Sequence, residues 1–353
     1  MPDSGVIVNA QQVTPAGVQS VFDGRVGGVR FGKSDDDIWV AVAGSVYHLA
    51  WRDNRVISSA SYPGHPGVQA VAVDPATGRA AVSTVGRGAT NPEGELPGGI
   101  ARIARSDAVQ LAFFDAEGGG VSGSAFASGA VGDYAAGAPA IARTRNTTGH
   151  RVAVLPLTAN DRLTVIDADR GTVLKSITLG VAPIAAVVSS DGSIAWVTNL
   201  GGAKPKRGDR SATECCYERA ERVRIDRRGI AEPGSVVRVD LVTGKVTNSL
   251  AVGRHPTALA WDTLHARLYV ANGNDESISV IDTREFRTVG RLEIGSRRYN
   301  HTGEAPTALA IAPDGQTLYV AVGALNAVAV FDVSTSHLRG LIPTGWYPSS
   351  VDV

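Results

Sequence analysis

Two short stretches, GHPG around His65 and RHPT around His255, place an imidazole immediately before a proline that opens an alternating apolar run. Two imidazoles held at matching positions suit either a metal or general acid/base work. The same residue type in that place also caps a turn or packs, and both readings stand. The adjacent Cys215 and Cys216 leave three chemistries open: a vicinal disulfide in an oxidising compartment, a thiolate metal site completed by a nearby His, or two inert thiols. With no second CxxC, the zinc reading has little support. The stretch SRRYNHTGE adds Tyr299 and His301, and GWYP adds Trp346 and Tyr347 as an aromatic rim or as packing. His65, His255, Tyr299, His301, Trp346 and Tyr347 are therefore the candidate ligand-binding residues. No catalytic residue is assigned and no cofactor is required. GGGVSGS around Ser122 lacks the G-x-S-x-G elbow, and GRVGGVRFG lacks the GK[ST] of a phosphate loop.

The elements that must position these residues are repeated. HPTALAWDTLHARLYVANGNDESISVIDTREFRTVGRLEIG (255–295) and APTALAIAPDGQTLYVAVGALNAVAVFDVSTSHLRGLIPTG (305–345) share four parts in one order. Period-two alternation punctuated by Asp-Gly and related turns reads as four antiparallel strands, a to d. Weaker copies run back through 181–253, 138–180, 65–127 and 27–64. WYPSSVDV (346–353) matches the first strand of one more. With insertions at 86–108, 201–234 and 296–304 set aside, the spacing is about 41 residues per unit, that of a propeller blade. The expectation is a single all-β domain over 1–353, a seven-bladed β-propeller of four-stranded antiparallel blades. Its last blade is incomplete or closed by both termini, with 1–27 giving a closing strand and 346–353 the inner one.

Composition agrees with this class. The chain has 353 residues, 41 of them Gly and only one Met. That balance favours short strands and tight turns over helices. Its 34 basic and 34 acidic residues give no excess charge for a nucleic-acid partner. No apolar run is long enough to span a membrane. The opening MPDSGVIVNAQQ has neither a basic n-region nor an apolar h-region, so these residues are not expected to be a signal peptide.

The a–b and c–d turns are uniformly short. Insertions 86–108 and 201–234 are b–c connections and 296–304 is a d–a connection, so all three rise from the opposite face. Loops on a rigid scaffold are where binding sites concentrate. His65 and His255 are expected on that face, at positions that the other blades fill with Ala138, Ala182, Ala305 and Tyr347. Residues 204–228 carry nine Lys or Arg against five Asp or Glu. This excess would meet an anionic group or keep the loop soluble.

LYVAN, SISVIDT, PTALAIAPDGQTLYVAVG and GLIPTGWYPSSVDV resemble the YVTN-type β-propeller repeats. With VTPAGVQ and ECCYERAERVRIDRRGIAEPGSVVRVDLVTGKV, the chain is similar to bacterial exported proteins that join such a propeller to a phosphoesterase of the alkaline phosphatase superfamily. The resemblance implies a periplasmic or extracellular setting and a C-terminal hydrolase domain or another protein as partner, and of the three readings of Cys215 and Cys216 that setting favours the disulfide. No residue here matches the hydrolase domain itself. The leading expectation is a non-catalytic binding or scaffold module. A lactonase-like metal-dependent hydrolase with its site at the channel mouth is the alternative, and a cell-surface structural or interaction propeller is the third.

Overall fold

A computed structural model of the chain describes residues 5–6, 12–13, 15–62, 64–74, 76–85, 90–96, 100–103, 109–116, 121–126, 135–213, 222–294 and 304–353. Among them are six four-stranded antiparallel sheets arranged as a β-propeller. Blade 1 holds Val26–Phe31, Asp37–Val42, Ser45–Ala50 and Arg55–Ser61 as strands a to d. Blade 2 holds His65–Val73, Ala80–Val85, Val109–Phe114 and Val121–Phe126. Blade 3 holds Ala140–Arg145, Arg151–Leu157, Arg162–Asp167 and Thr172–Thr178. Blade 4 holds Val181–Val188, Ile194–Gly202, Ser235–Asp240 and Lys245–Ala251. Blade 5 holds Pro256–Asp262, Arg267–Asn272, Ser277–Asp282 and Arg287–Glu293. Blade 6 holds Pro306–Ile311, Thr317–Val322, Ala327–Asp332 and His337–Pro343.

The sequence patterns follow from where each strand sits. Strands b and c are covered on both faces, so they read as nearly continuous apolar runs such as LYVA and WVT. Outer strands d meet water and are largely exposed, as in KVTNSLA. The core is therefore shared between blades. Five apolar clusters lie at the 1–2, 2–3, 3–4, 4–5 and 5–6 boundaries, with Phe114, Leu155, Val197, Leu268 and Phe331 among their members. Each blade is thus stabilised by its neighbours, as stacked repeats are.

The seven-blade expectation is corrected to six. Residues 344–353 pair in no strand, and the leading residues do not form an outer strand: Gly5–Val6 pairs with Gln12–Val13, and 15–25 carry no strand. The length count went wrong because it credited two end segments as a blade. These segments instead pack around the junction of blades 6 and 1. Ala16 N donates to Pro343 O at 2.9 Å, and Phe22 packs with Val40, Val42 and Leu49 of blade 1. On the inner side, Thr307 Oγ1 donates to Pro348 O at 2.6 Å, and Phe31 N donates to Asp352 Oδ2 at 2.7 Å. Ser350 Oγ bonds both the N–H and the carbonyl of Val29.

The b–c connections of blades 2 and 4 carry hairpins of their own. Thr90–Leu96 pairs with Ile100–Ile103, and Ser211–Thr213 pairs with Arg222–Arg224. No helix of the described residues is long and apolar enough to cross a membrane.

Candidate functional site

Strand a of each blade begins on the face that bears the long connections. At three of these starts, and at the matching point of the closing segment, the residue before proline adopts positive φ: Ala182 (53°), His255 (54°) and Ala305 (50°), and then Tyr347 (46°). Non-glycine residues seldom take this conformation, and its recurrence marks a shared backbone bend. The bend is held from the preceding b–c loop. Ala182 N donates to Asp161 Oδ1 at 2.8 Å, and Tyr347 N to Asn326 Oδ1 at 2.8 Å. Asp161 and Asn326 have positive φ themselves, which Asp and Asn tolerate better than most residues. The other Asp161 oxygen meets Lys204 Nζ at 2.6 Å, so this buried carboxylate ties the blade 4 connection to the ring.

His65 does not share the His255 geometry. In blade 2 the non-glycine residue with positive φ among the described residues is Gln69 (47°), and the a–b register slips between Pro66 and Val71. A bulge there re-aims the chain. His65 and His255 open blades 2 and 5, which stand across the ring, and no hydrogen bond or ring contact joins their imidazoles among the described residues. Burial among the surrounding chain holds the His255 imidazole below its usual value, and its exposed surface moderates that pull. Its carbonyl accepts Gly273 N at 2.8 Å, a turn-capping role. Trp346 and Tyr347 are exposed, and the Tyr347 ring lies so close over Gly323 that a Cβ there would meet Cζ at 2.7 Å. Tyr299, His301, Cys215 and Cys216 lie outside the described residues.

The bulge sends Gln69 to the middle of the ring. Its Nε2 donates to Thr307 O of blade 6 at 2.6 Å and to Thr257 O of blade 5 at 3.3 Å. Only an amide nitrogen can serve two carbonyls, which fixes the orientation of the side chain. Beyond Gln69, towards the short-turn face, lies a cavity of about 280 Å³. The side chains around it are mostly apolar, Ala72, Ala138, Ala186 and Leu259 among them, but the surface it exposes is as much polar as apolar, with Arg30, Gln69 and Asp352 supplying the polar side chains. Sequence reasoning missed all three. Gln69 alone left a signal, as the polar interruption in HPGVQAVAV.

Three His–Asp pairs lie on the short-turn face: His48–Asp37 and His150–Asp167 at 2.7 Å, and His265–Asp262 at 2.6 Å. The first resembles a nucleophile triad only in composition. Ser34 Oγ donates to Asp37 rather than facing the imidazole, and His48 is buried and stacked on Trp39 with centroids 4.4 Å apart. Burial pulls the Asp37 carboxyl up, but the bonds from Ser34 and His48 outweigh it and hold it below the usual range. A hydroxyl with no base beside it is not an activated nucleophile. No group of three or more His, Cys, Asp or Glu side chains converges as a metal site among the described residues.

No family model and no curated protein matches this chain. Among solved structures it is similar to Kuenenia stuttgartiensis hydrazine synthase, with a TM-score of 0.64 and 14% identity, covering 96% of this chain and 93% of the other. At that identity the likeness is one of fold. The chain is a β-propeller, a scaffold on which function is decided by the site rather than the ring.

Proposed function

We propose that this propeller is a non-catalytic binding and scaffold module that recognises a partner through the face bearing its long connections. The observation that carries this is the placement of two hairpin-bearing b–c connections on one face, one of them tied to the ring by Lys204 and Asp161. A rigid ring with elaborated loops on one side presents a preformed surface, which lowers the ordering cost of binding. The exposed Trp346 and Tyr347 lie towards the same side and supply aromatic anchors of the kind that dominate interfaces. The YVTN-type resemblance supports a narrower reading, in which the module belongs to an exported phosphoesterase-type protein and its partner is the hydrolase domain. The lactonase-like alternative finds no converging ligand set among the described residues.

The test is calorimetric titration of this chain with a separately produced phosphoesterase domain of the alkaline phosphatase superfamily, taken from a protein of the resembled type. Binding that weakens at least tenfold when 86–108 and 205–230 are replaced by short Gly-Ser links is the expected result. Unchanged affinity after both replacements would sink the assignment of the face.

A further inference from the structure

We infer that the cavity below Gln69 is a binding site for a small organic acid that also carries an amino group, a molecule of amino-acid size. The inference is independent of the partner-binding reading, because the cavity opens towards the short-turn face. It is lined by the ends of strands a, at Phe31, Val73 and Val187, which lead into the a–b turns. Gln69 crosses the ring on the other side, so the cavity has a floor.

Its polar side chains are few and include both signs of charge. Arg30 is half-buried, and its Nη1 donates to Val29 O and Val351 O, each at 3.1 Å. It makes no ion pair among the described residues, so the rest of its donor fork is unspent. Asp352 uses Oδ2 to accept Phe31 N, and no described residue donates to its Oδ1. Gln69 is 5% exposed, and no described residue donates to its Oε1. Thus a guanidinium and a carboxylate line one cavity without bonding to each other, beside a buried amide acceptor. A guanidinium fork matches a carboxylate in geometry and charge. Asp352 and Gln69 offer acceptors to an ammonium on the same ligand. A concavity with a few convergent polar side chains is the usual make-up of a small-molecule site, and this volume lies just below the usual range for one.

Calorimetric titration of the intact chain uses L-alanine, L-serine and L-valine as probes, with propionate and propylamine as single-charge controls. At least one amino acid should bind one-to-one and at least tenfold more tightly than either control. Arg30→Gln and Asp352→Asn should each weaken it at least tenfold, and Ala140→Leu, which fills the cavity without touching a charge, should abolish it. Ser350→Ala loosens the same closing segment outside the cavity and should leave affinity within about twofold. Amino acids binding no better than the controls would overturn the inference, as would Ser350→Ala matching the loss in Arg30→Gln.

Discussion

The side-chain oxygen of Asn326 accepts the backbone N–H of Tyr347 at 2.8 Å, across the boundary between blade 6 and the closing segment. Asp161 and Ala182 repeat this relation between blades 3 and 4. Asn326 is buried and has φ of 51°, so it supplies both an acceptor and a tolerated left-handed backbone. Asn326→Gly keeps the backbone and removes the acceptor, so it should cost about 1 kcal/mol. Asn326→Ala adds left-handed strain of about 1–2 kcal/mol. Hydrogen exchange at the Tyr347 amide should speed up in both variants. Unaltered protection there would show that the latch does not hold the segment.

Gln69→Leu tests the central crossing. The two threonine carbonyls it serves lie on inner strands of blades 5 and 6, where little else can reach them. Leaving buried acceptors unpaired costs about 1–3 kcal/mol. Urea unfolding should show that loss with an unchanged slope, and a loss below about 0.5 kcal/mol would mean water replaces the amide at no cost.

How much of this was legible in the sequence depends on whether a feature is local. LYVAN and SISVIDT show their strands because burial on both faces turns b and c into apolar runs. The blade count failed at WYPSSVDV, whose alternation matches an inner strand although no strand among the described residues pairs with it. The alignment of His65 with His255 failed for a similar reason: both precede proline, but the slip between Pro66 and Val71 moves the bend to Gln69. Arg30 and Asp352 lie near opposite ends of the sequence, and only ring closure makes them neighbours. A one-dimensional pattern carries no trace of that.

Glycine at 253 is required by a close approach rather than by φ. A Cβ there would stand 2.4 Å from Asn272 Cγ, while Gly253 N donates to Asn272 Oδ1 at 3.0 Å. The asparagine ending LYVAN thus braces the connection from blade 4 to blade 5. Gly253→Ala should destabilise by about 1–3 kcal/mol through overpacking. Pairing it with Asn272→Ala should recover part of the loss in a double-mutant cycle. Strict additivity would show that the two residues do not interact.

Lys204→Met leaves Asp161 buried with one oxygen uncompensated by charge. Lys204 is about half exposed, so solvent shares the interaction, and the loss should be about 1–3 kcal/mol rather than that of a fully buried pair. Its sharper signature is local. Limited proteolysis should cut the 201–234 connection faster while the remaining blades stay resistant. Equal cleavage rates in variant and parent would mean that the salt bridge does not fix the connection.

Acid should act through Asp167. This buried carboxylate accepts His150 Nδ1 at 2.7 Å and Arg170 Nη1 at 2.8 Å, with the backbone N–H groups of Asp169 and Arg170 on its other oxygen. Burial pulls its titration up, but these bonds outweigh it and hold the group at about 2. In the unfolded chain an aspartate titrates near about 3.9. With the folded value below the unfolded one, its contribution is fully present above about pH 4 and is lost as pH falls towards 2. His150→Gln weakens the hold, so it should lower stability at pH 7 and shift the acid midpoint upward. Asp167→Asn should flatten the fall in urea midpoint between pH 4 and 2. If that variant falls as steeply as the parent, other carboxylates carry the acid response.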